Sequence, residues 1–300
     1  MTDLLIRRPL TGLVLALFLS AAGAAPVAAT APTVAVVAEQ PAADGTQAAR
    51  RVIPLEAGSN FRDIGGYPAA GGRHVKWGLI YRSGGTPMLT AADQARIAGL
   101  GLSHMIDLRS DEERVLAPTR IDGVPYTAVG YHIADLMAGF QGSGGAGEGY
   151  RRMPELLAPQ VRQVFAALLR GEGPVVYNCS AGQDRTGFVT ALVLSALGTP
   201  YATIVEDYHL STRYRRPEFE MPRPTAEQAA ASPVAAMYYH IQSDPRARQR
   251  HPLMTAQGKP YLDFAFEEMK ARWGGVDGYL QREIGLTPAK IAGLRARYTR

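Results

Sequence analysis

Residues 175–191 read VVYNCSAGQDRTGFVTA and carry the single cysteine of a 300-residue chain. An apolar run precedes Cys179 and an apolar helical pattern follows it, which predicts a buried strand, a short loop and a helix. Arg185 lies six positions after the cysteine. Gly182, between them, can adopt backbone conformations that a side chain hinders. A strand that passes through a short loop into a helix favours an α/β fold.

This loop has the composition of an anion-binding site. Backbone N–H groups between a strand end and a helix N-terminus can turn inward and, with the helix dipole, hold a phosphate. Arg185 can bind two phosphate oxygens at once. The same field favours the thiolate of Cys179, which would then be a nucleophile beneath the phosphorus. The predicted phosphate-binding residues are Ser180, Ala181, Gly182, Gln183, Asp184 and Arg185.

The chemistry implied is transfer of a phosphoryl group to sulfur, followed by hydrolysis of the cysteinyl-phosphate. Protonation of the leaving oxygen needs a general acid, and Asp184 and Asp107 are both candidates. Asp107 ends a predicted strand, and a structural ion pair with Arg109 or Arg62 is the alternative for it. Thr186 would donate a hydrogen bond to the departing sulfur. The cysteine-to-arginine spacing alone also fits a buried structural cysteine, but the surrounding pattern favours the catalytic interpretation.

The rest of the chain predicts an α/β fold with a central sheet flanked by helices and a helical C-terminal region. Strands are predicted within residues 78–84, 104–110 and 173–178, and a helix over 154–170. Helical runs follow near residues 201–212, 225–242, 261–273 and 288–298. The glycine-rich segment 139–150 is predicted to be a flexible loop over a pocket. Its G-x-G-x-x-G spacing lacks the strand and helix of a dinucleotide site.

The N-terminus has the pattern of a secretory signal peptide. Arg7 and Arg8 precede an apolar stretch, and small residues follow it up to residue 25. We predict a signal peptide over residues 1–25, a flexible Ala/Pro-rich tether over 26–51 and a catalytic domain over 52–300. The protein would be periplasmic or secreted, with no stable membrane span after processing. The alternative is an uncleaved anchor, although the apolar stretch is short for a bilayer.

Composition excludes several classes of function. The net charge of +5 is mild, and the sequence contains no nucleic-acid-binding module, so no nucleic-acid partner is expected. The six histidines are dispersed without metal-ligand spacing, so no metal or other cofactor is expected. Because there is one cysteine, no internal disulfide can form.

The segment CSAGQDRTG resembles the signature loop of the cysteine-dependent protein tyrosine phosphatases. It is most similar to a bacterial, often exported branch whose loop usually reads HCxAGKDRTG. The segments NFRDIGGY, GLIYRSG, IDLRSDEER and VEDYHLS resemble others of that branch in the same order. The resemblance covers about residues 53–297 and implies a phosphatase α/β fold.

The resemblance implies hydrolysis of phosphotyrosine and, in some members, of phosphoserine, phosphothreonine or phosphoinositides. The expected partner is a phosphorylated protein or a phosphoinositide, and Asp184 becomes the favoured general acid. The chain departs from the branch at Asn178, where His is usual, and at Gln183, where Lys is usual. The loss of the Lys charge argues against phosphoinositides. The two departures together leave a second hypothesis, a phosphate-ester-binding module without catalysis.

Overall fold

The structure is a computed structural model that describes residues 45–119, 121–140, 145–245 and 249–300. The predicted signal peptide and residues 26–44 of the predicted tether lie outside the described residues. The described chain forms a five-stranded sheet surrounded by helices, which confirms the predicted α/β class. The strands are β1 (Arg62–Asp63), β2 (Ile80–Ser83), β3 (His104–Asp107), β4 (Tyr126–Ala128) and β5 (Val175–Asn178).

The strand order places β5 in the middle of the sheet. The order is β1-β2-β5-β3-β4, with β1 antiparallel to β2 and the other neighbours parallel. Ser83 and Asp107 are the register partners of Asn178 on either side. The carboxyl ends of three parallel strands therefore meet at one edge. Ligands of open α/β sheets bind at this kind of edge.

The two faces of the sheet are covered by separate hydrophobic clusters, because side chains alternate along each strand. The larger cluster takes Val175 and Tyr177 from β5, together with most of the helical side chains. The smaller cluster takes Val176, packed with Tyr81 of β2, Met105 of β3 and Ile97 of a short helix. The central strand is thus buried on both faces, as its apolar sequence predicts.

Thirteen α-helices occur in the described ranges. They are α1 (Gly45–Arg51), α2 (Ala91–Ala98), α3 (Asp111–Leu116), α4 (Ile133–Phe140), α5 (Gly145–Leu156), α6 (Ala158–Arg170), α7 (Asp184–Leu197), α8 (Tyr201–Tyr214), α9 (Ala226–Ala231), α10 (Pro233–Ser243), α11 (Tyr261–Trp273), α12 (Val276–Arg282) and α13 (Pro288–Tyr298).

Helix α7 is the central helix of the larger layer. All of its residues except Asp184 and Ser195 are buried, and α8, α11, α12 and α13 pack around it. A helix that is apolar on every side needs such a cover. In the described part of the chain every helix or strand after β5 is a helix, so the predicted helical C-terminal region is confirmed. Within the described ranges, no helix is both long and apolar enough to cross a bilayer.

The predicted loop over residues 139–150 is wrong for the part that the structure describes. Residues 139 and 140 end α4, and α5 begins at Gly145; residues 141–144 lie outside the described chain. A Cβ on Gly149 would lie 2.5 Å from the Phe140 ring, and one on Gly147 would lie 2.9 Å from the Phe264 ring. These glycines allow close helix packing, which overrides their low helix propensity. The helix predicted over 154–170 is divided between α5 and α6, and Pro154 lies inside α5.

The folded chain also begins before the predicted boundary at residue 52. Helix α1 occupies the last seven residues of the segment predicted as a tether. The guanidinium carbon of Arg51 lies 3.7 Å from the centroid of the Tyr67 ring. The Nε of Arg51 donates a hydrogen bond to the Gly65 carbonyl at 3.2 Å. Arg51 is buried as a result. This packing on an aromatic ring accounts for order in a segment whose composition indicates a linker.

Candidate active site

The loop of residues 179–185, called the phosphate loop below, joins the end of β5 to the first turn of α7. Its Cys179 is almost fully buried. Gly182 has φ +67°, and a Cβ there would lie 2.6 Å from the backbone nitrogen of Gly84. Both the left-handed backbone and the close approach of the β2 end therefore require glycine at this position. The predicted strand, loop and helix are confirmed, and α7 begins at Asp184.

The carbonyl groups of the phosphate loop are held by residues outside it. Gly85 N donates to the Ser180 carbonyl at 2.7 Å. The Asn60 side chain and the Arg82 guanidinium each donate to the Gly182 carbonyl at 2.8 Å. The backbone N–H groups of residues 180–184 donate to no acceptor in the described part of the chain. These N–H groups are therefore available to an anion.

Arg185 is fixed by a two-pronged ion pair with Glu113 of α3. Its Nη1 lies 2.6 Å from Oε2 and its Nη2 lies 2.8 Å from Oε1, and Nη1 also donates to the Tyr131 hydroxyl at 2.8 Å. Oε1 of Glu113 accepts two further hydrogen bonds, from Ser180 Oγ at 2.6 Å and Tyr238 Oη at 2.9 Å. The planar guanidinium is thus oriented before any phosphate arrives.

Glu113 is a site residue that the sequence analysis missed. The only available signal was the capping pattern of SDEER: Ser110 and Glu113 do form a capping box at the start of α3. Burial alone would raise the pKa of Glu113, but Arg185 and its other donors hold that pKa well below the usual range. The Glu113 charge in turn raises the pKa of Arg185 despite its burial. Both groups are therefore charged at neutral pH.

Asp184 begins α7 and lies within the phosphate loop. Its Oδ1 accepts a hydrogen bond from the Tyr150 hydroxyl at 2.5 Å, and the Tyr208 hydroxyl donates to that of Tyr150 at 2.6 Å. Asp184 is partly exposed, unlike both tyrosines. Of the two candidate acids, it is the one beside the cysteine and arginine.

The structure does not bring Asp107, the other candidate acid, into this arrangement. Its carboxylate forms a two-pronged ion pair with Arg109, with Nη2 2.8 Å from Oδ2 and Nε 3.0 Å from Oδ1. The Tyr126 hydroxyl also donates to Oδ2 at 2.9 Å. Both members of this ion pair are fully buried. A carboxylate that is fully paired and enclosed has a structural role. This ion pair with Arg109 is one of the two structural alternatives that the sequence offered for Asp107.

The remaining predicted residues line or flank the phosphate loop. Ala181 offers its carbonyl to Asn60 at 3.2 Å. Gln183 is the buried N-cap of α7 and makes no capping side-chain hydrogen bond. Thr186 is buried, and its hydroxyl donates to the Ser83 carbonyl at 3.5 Å, a weak contact that an acceptor such as sulfur can replace.

Asn178 occupies the position before the cysteine. Its side-chain nitrogen donates to the Cys179 carbonyl at 3.3 Å. Its Oδ1 is buried and has no hydrogen-bond partner within the described residues. An amide here can orient the cysteine backbone, but it adds no charge beside the thiol.

A buried charged network lies behind the phosphate loop. Asp207 of α8 forms ion pairs with Arg82 and Arg62, and it accepts a hydrogen bond from Tyr67 at 3.0 Å. Arg82 also binds Ser211 at 3.0 Å, in addition to the loop carbonyl. All of these side chains are buried. The network therefore connects α8 to the loop. No group of three or more His, Cys, Asp or Glu in the described ranges could hold a metal ion.

Replacement of Glu113 by Gln is expected to lower the free energy of unfolding at pH 7 by about 2 kcal/mol, since Arg185 would lose its charged partner. The pKa of Glu113 is lower in the folded state than in the unfolded state. Its contribution to the free energy of unfolding is therefore complete above pH 4.5, the ordinary pKa of glutamate, and is lost progressively as the pH falls below that value. The difference in the free energy of unfolding between wild type and variant should therefore narrow below that pH.

Urea unfolding from pH 7 to pH 3 measures this difference. Glu172→Gln, at an exposed side chain, is the control. A constant difference across this range would contradict the prediction.

Comparison with known proteins agrees with this geometry. Residues 53–300 match the model of the tyrosine phosphatase family. A protein of Cupriavidus necator named for tyrosine-protein phosphatase activity is 30% identical over 274 residues, covering 86% of this chain and 93% of that protein. A tyrosine-protein phosphatase of Nostoc commune is 31% identical over 283 residues, covering 88% and 91%. The triple specificity protein phosphatase PtpB of Mycobacterium tuberculosis is 28% identical over 283 residues, covering 81% and 98%.

The matched residues include the phosphate loop, the ion pair that orients its arginine and the buried network behind it. They also include each segment on which the resemblance was based, so that resemblance is confirmed. The chain belongs to the tyrosine phosphatase family.

Proposed function

We propose that this protein is an exported phosphatase that hydrolyses phosphotyrosine through a cysteinyl-phosphate on Cys179. The observation that carries the proposal is the phosphate loop: its carbonyls are bound from outside, its N–H groups are available, and Arg185 is oriented beside them. A dianionic phosphate matches these donors in charge and number.

In the first step, the Cys179 thiolate attacks phosphorus and the bond from phosphorus to the tyrosine oxygen breaks. The leaving oxygen takes the proton of the Asp184 carboxyl, so tyrosine leaves as the neutral phenol. The loop N–H groups and Arg185 stabilise the charge of the equatorial phosphate oxygens throughout.

In the second step, water attacks phosphorus and the bond from phosphorus to sulfur breaks. The Asp184 carboxylate takes a proton from this water, which restores the acid for the next turnover. Thr186 can donate a hydrogen bond to the departing sulfur, and inorganic phosphate is released. Every group required belongs to residues 179–186.

The substrate class rests on charge around the loop. Gln183 is buried and uncharged, so it offers no cation to a second phosphate, and this favours phosphotyrosine over polyphosphorylated ligands. Phosphoserine and phosphothreonine proteins are proposed as additional substrates. A phosphoinositide remains the alternative, because the resemblance of the signature loop implies it for some members of the family.

Phosphate release from matched phosphotyrosine and phosphoserine peptides and from a phosphoinositide tests the proposal, with a metal chelator present. We expect kcat/KM to be highest for phosphotyrosine. The full chain should be expressed with its first 25 residues and recovered from outside the cytoplasm, where its N-terminus should lie near residue 26. Faster release from the phosphoinositide would favour the alternative substrate. An intact N-terminus on a cytoplasmic protein would contradict export.

A further inference from the structure

Two buried tyrosines form a directed chain of hydrogen bonds that ends on Asp184. Tyr208 of α8 donates to the hydroxyl of Tyr150, and Tyr150 of α5 donates to Oδ1 of Asp184. The two O–O distances are 2.6 and 2.5 Å. Each tyrosine is 1% exposed, so solvent competes with neither bond. A hydroxyl has one proton, and the Tyr208 donation therefore commits the Tyr150 proton to the carboxyl group.

We propose that Tyr150 is a positioning residue for Asp184, and that Tyr208 fixes the direction in which Tyr150 donates. The inference rests on the proposed role of Asp184 as the general acid. Because Oδ1 accepts from Tyr150, the acidic proton of Asp184 resides on Oδ2. In the first step, this Oδ2–H bond breaks as the proton passes to the leaving oxygen. In the second step, Oδ2 takes a proton from the attacking water.

The Tyr150 hydroxyl is held in place by aromatic and helix packing. Its ring stacks on Tyr261, with centroids 5.8 Å apart, and meets the edge of Tyr208 at 6.2 Å. The Tyr208 ring lies so close to α7 that a Cβ on Gly187 would be 2.8 Å from it. These contacts leave little freedom to either ring. The glycine-rich segment, which the sequence analysis assigned to a flexible loop, thus builds the helix that carries Tyr150.

Electrostatics keep both tyrosines in the donor state. Burial, with the nearby Asp184 charge, raises the pKa of Tyr150 and of Tyr208 well above the ordinary value. Neither hydroxyl therefore ionises at any pH at which the fold is expected to work. The two tyrosine hydroxyls therefore act as fixed hydrogen-bond donors, and together they orient one carboxyl oxygen of Asp184.

The geometry also explains why α8 matters to two parts of the site. Asp207 reaches the phosphate loop through Arg82, and the next residue, Tyr208, reaches Asp184 through Tyr150. Consecutive residues on a helix point about 100° apart. One turn of α8 thus supports the phosphate-binding carbonyl and the acid from different directions.

Leaving-group dependence tests the inference, since a general acid matters more for a poor leaving group than for a good one. The values of kcat/KM are measured for phenyl phosphate and para-nitrophenyl phosphate, and their ratio is compared among variants. Asp184→Asn should shift the ratio against phenyl phosphate by about tenfold or more. Tyr150→Phe should shift it in the same direction by about threefold to tenfold, and Tyr208→Phe by less.

Tyr177→Phe is the matched control. It removes an equally buried hydroxyl on β5, which is bonded to Thr190 of α7 at 3.0 Å. The ratio should stay within about twofold of wild type in this variant. In the Asp184→Asn background, Tyr150→Phe should produce no further shift, because it acts through the missing carboxyl. Thermal melting confirms that each variant is folded.

The outcomes separate the two claims. An unchanged ratio in Asp184→Asn overturns the acid assignment, and this inference with it, while the nucleophile is judged independently by substitution of Cys179. A shifted ratio in Asp184→Asn but not in Tyr150→Phe or Tyr208→Phe overturns the inference alone. A shift in Tyr150→Phe that persists in the double variant also overturns it, since the effect would not pass through Asp184.

Discussion

Cys179→Ser is expected to lower kcat for para-nitrophenyl phosphate by about 10⁴-fold or more, as removal of a covalent nucleophile does in other hydrolases. A serine hydroxyl at this position stays protonated at neutral pH and is a much weaker nucleophile than a thiolate. The loop and the Arg185–Glu113 ion pair do not involve the sulfur atom, so they should persist. The measurement is steady-state phosphate release with a chelator present, wild type beside variant.

Binding is the control for this result. The variant should bind a phosphotyrosine peptide with a Kd within about tenfold of the wild-type KM, because the N–H groups and the guanidinium remain. Calorimetry with the folded variant measures this. Turnover within tenfold of wild type would remove Cys179 from the mechanism. No turnover in the wild type itself, with binding intact, would support the hypothesis of a phosphate-ester-binding module.

Asp207→Asn is expected to lower the free energy of unfolding by about 3–5 kcal/mol, because it leaves two buried guanidinium groups without their counter-charge. Burial and the charge of Arg82 already lower the pKa of Arg62 to about 10, which shows the cost of enclosing these groups. Although burial opposes it, the two arginines keep the pKa of Asp207 below its usual value. Denaturant unfolding at pH 7 measures the loss.

The matched control is Asp122→Asn, at an exposed carboxylate, which should change the free energy of unfolding by less than about 0.5 kcal/mol. The Asp207 variant should also lose activity, since Arg82 holds the Gly182 carbonyl. A variant within 1 kcal/mol of wild type would mean that the arginines find other partners or solvent.

The parts of the site that are contiguous in sequence could be predicted. Cys179, Gly182 and Arg185 lie in one loop, and the strand and helix around them have clear apolar patterns. Their proximity therefore follows from local structure alone. The central sheet and the helical C-terminal region could also be predicted, because short apolar runs indicate buried strands and apolar residues at helical spacing indicate helices.

The residues that orient the site could not be predicted, because they come from distant segments. Glu113 is 72 positions from Arg185, and Tyr150 is 34 from Asp184. The capping motif of SDEER marks a helix start and the glycine-rich stretch wrongly indicates a loop, and neither pattern reveals a tertiary contact. For Asp107 the deciding contact is instead local. Its position at a strand end suits a catalytic acid, but its carboxylate is bound by Arg109, two positions along the chain.

The solitary, buried thiol of Cys179 makes this protein unusually easy to follow chemically. Every alkylation of a thiol occurs at one position, so the mass added to the intact protein by a thiol-specific reagent reports directly on the state of that position. Because the thiol is enclosed, its rate of alkylation measures how often a reagent reaches the phosphate loop. No other cysteine contributes to the signal. Slower labelling in the presence of inorganic phosphate would then measure occupancy of the loop for any ligand, including those that are never turned over.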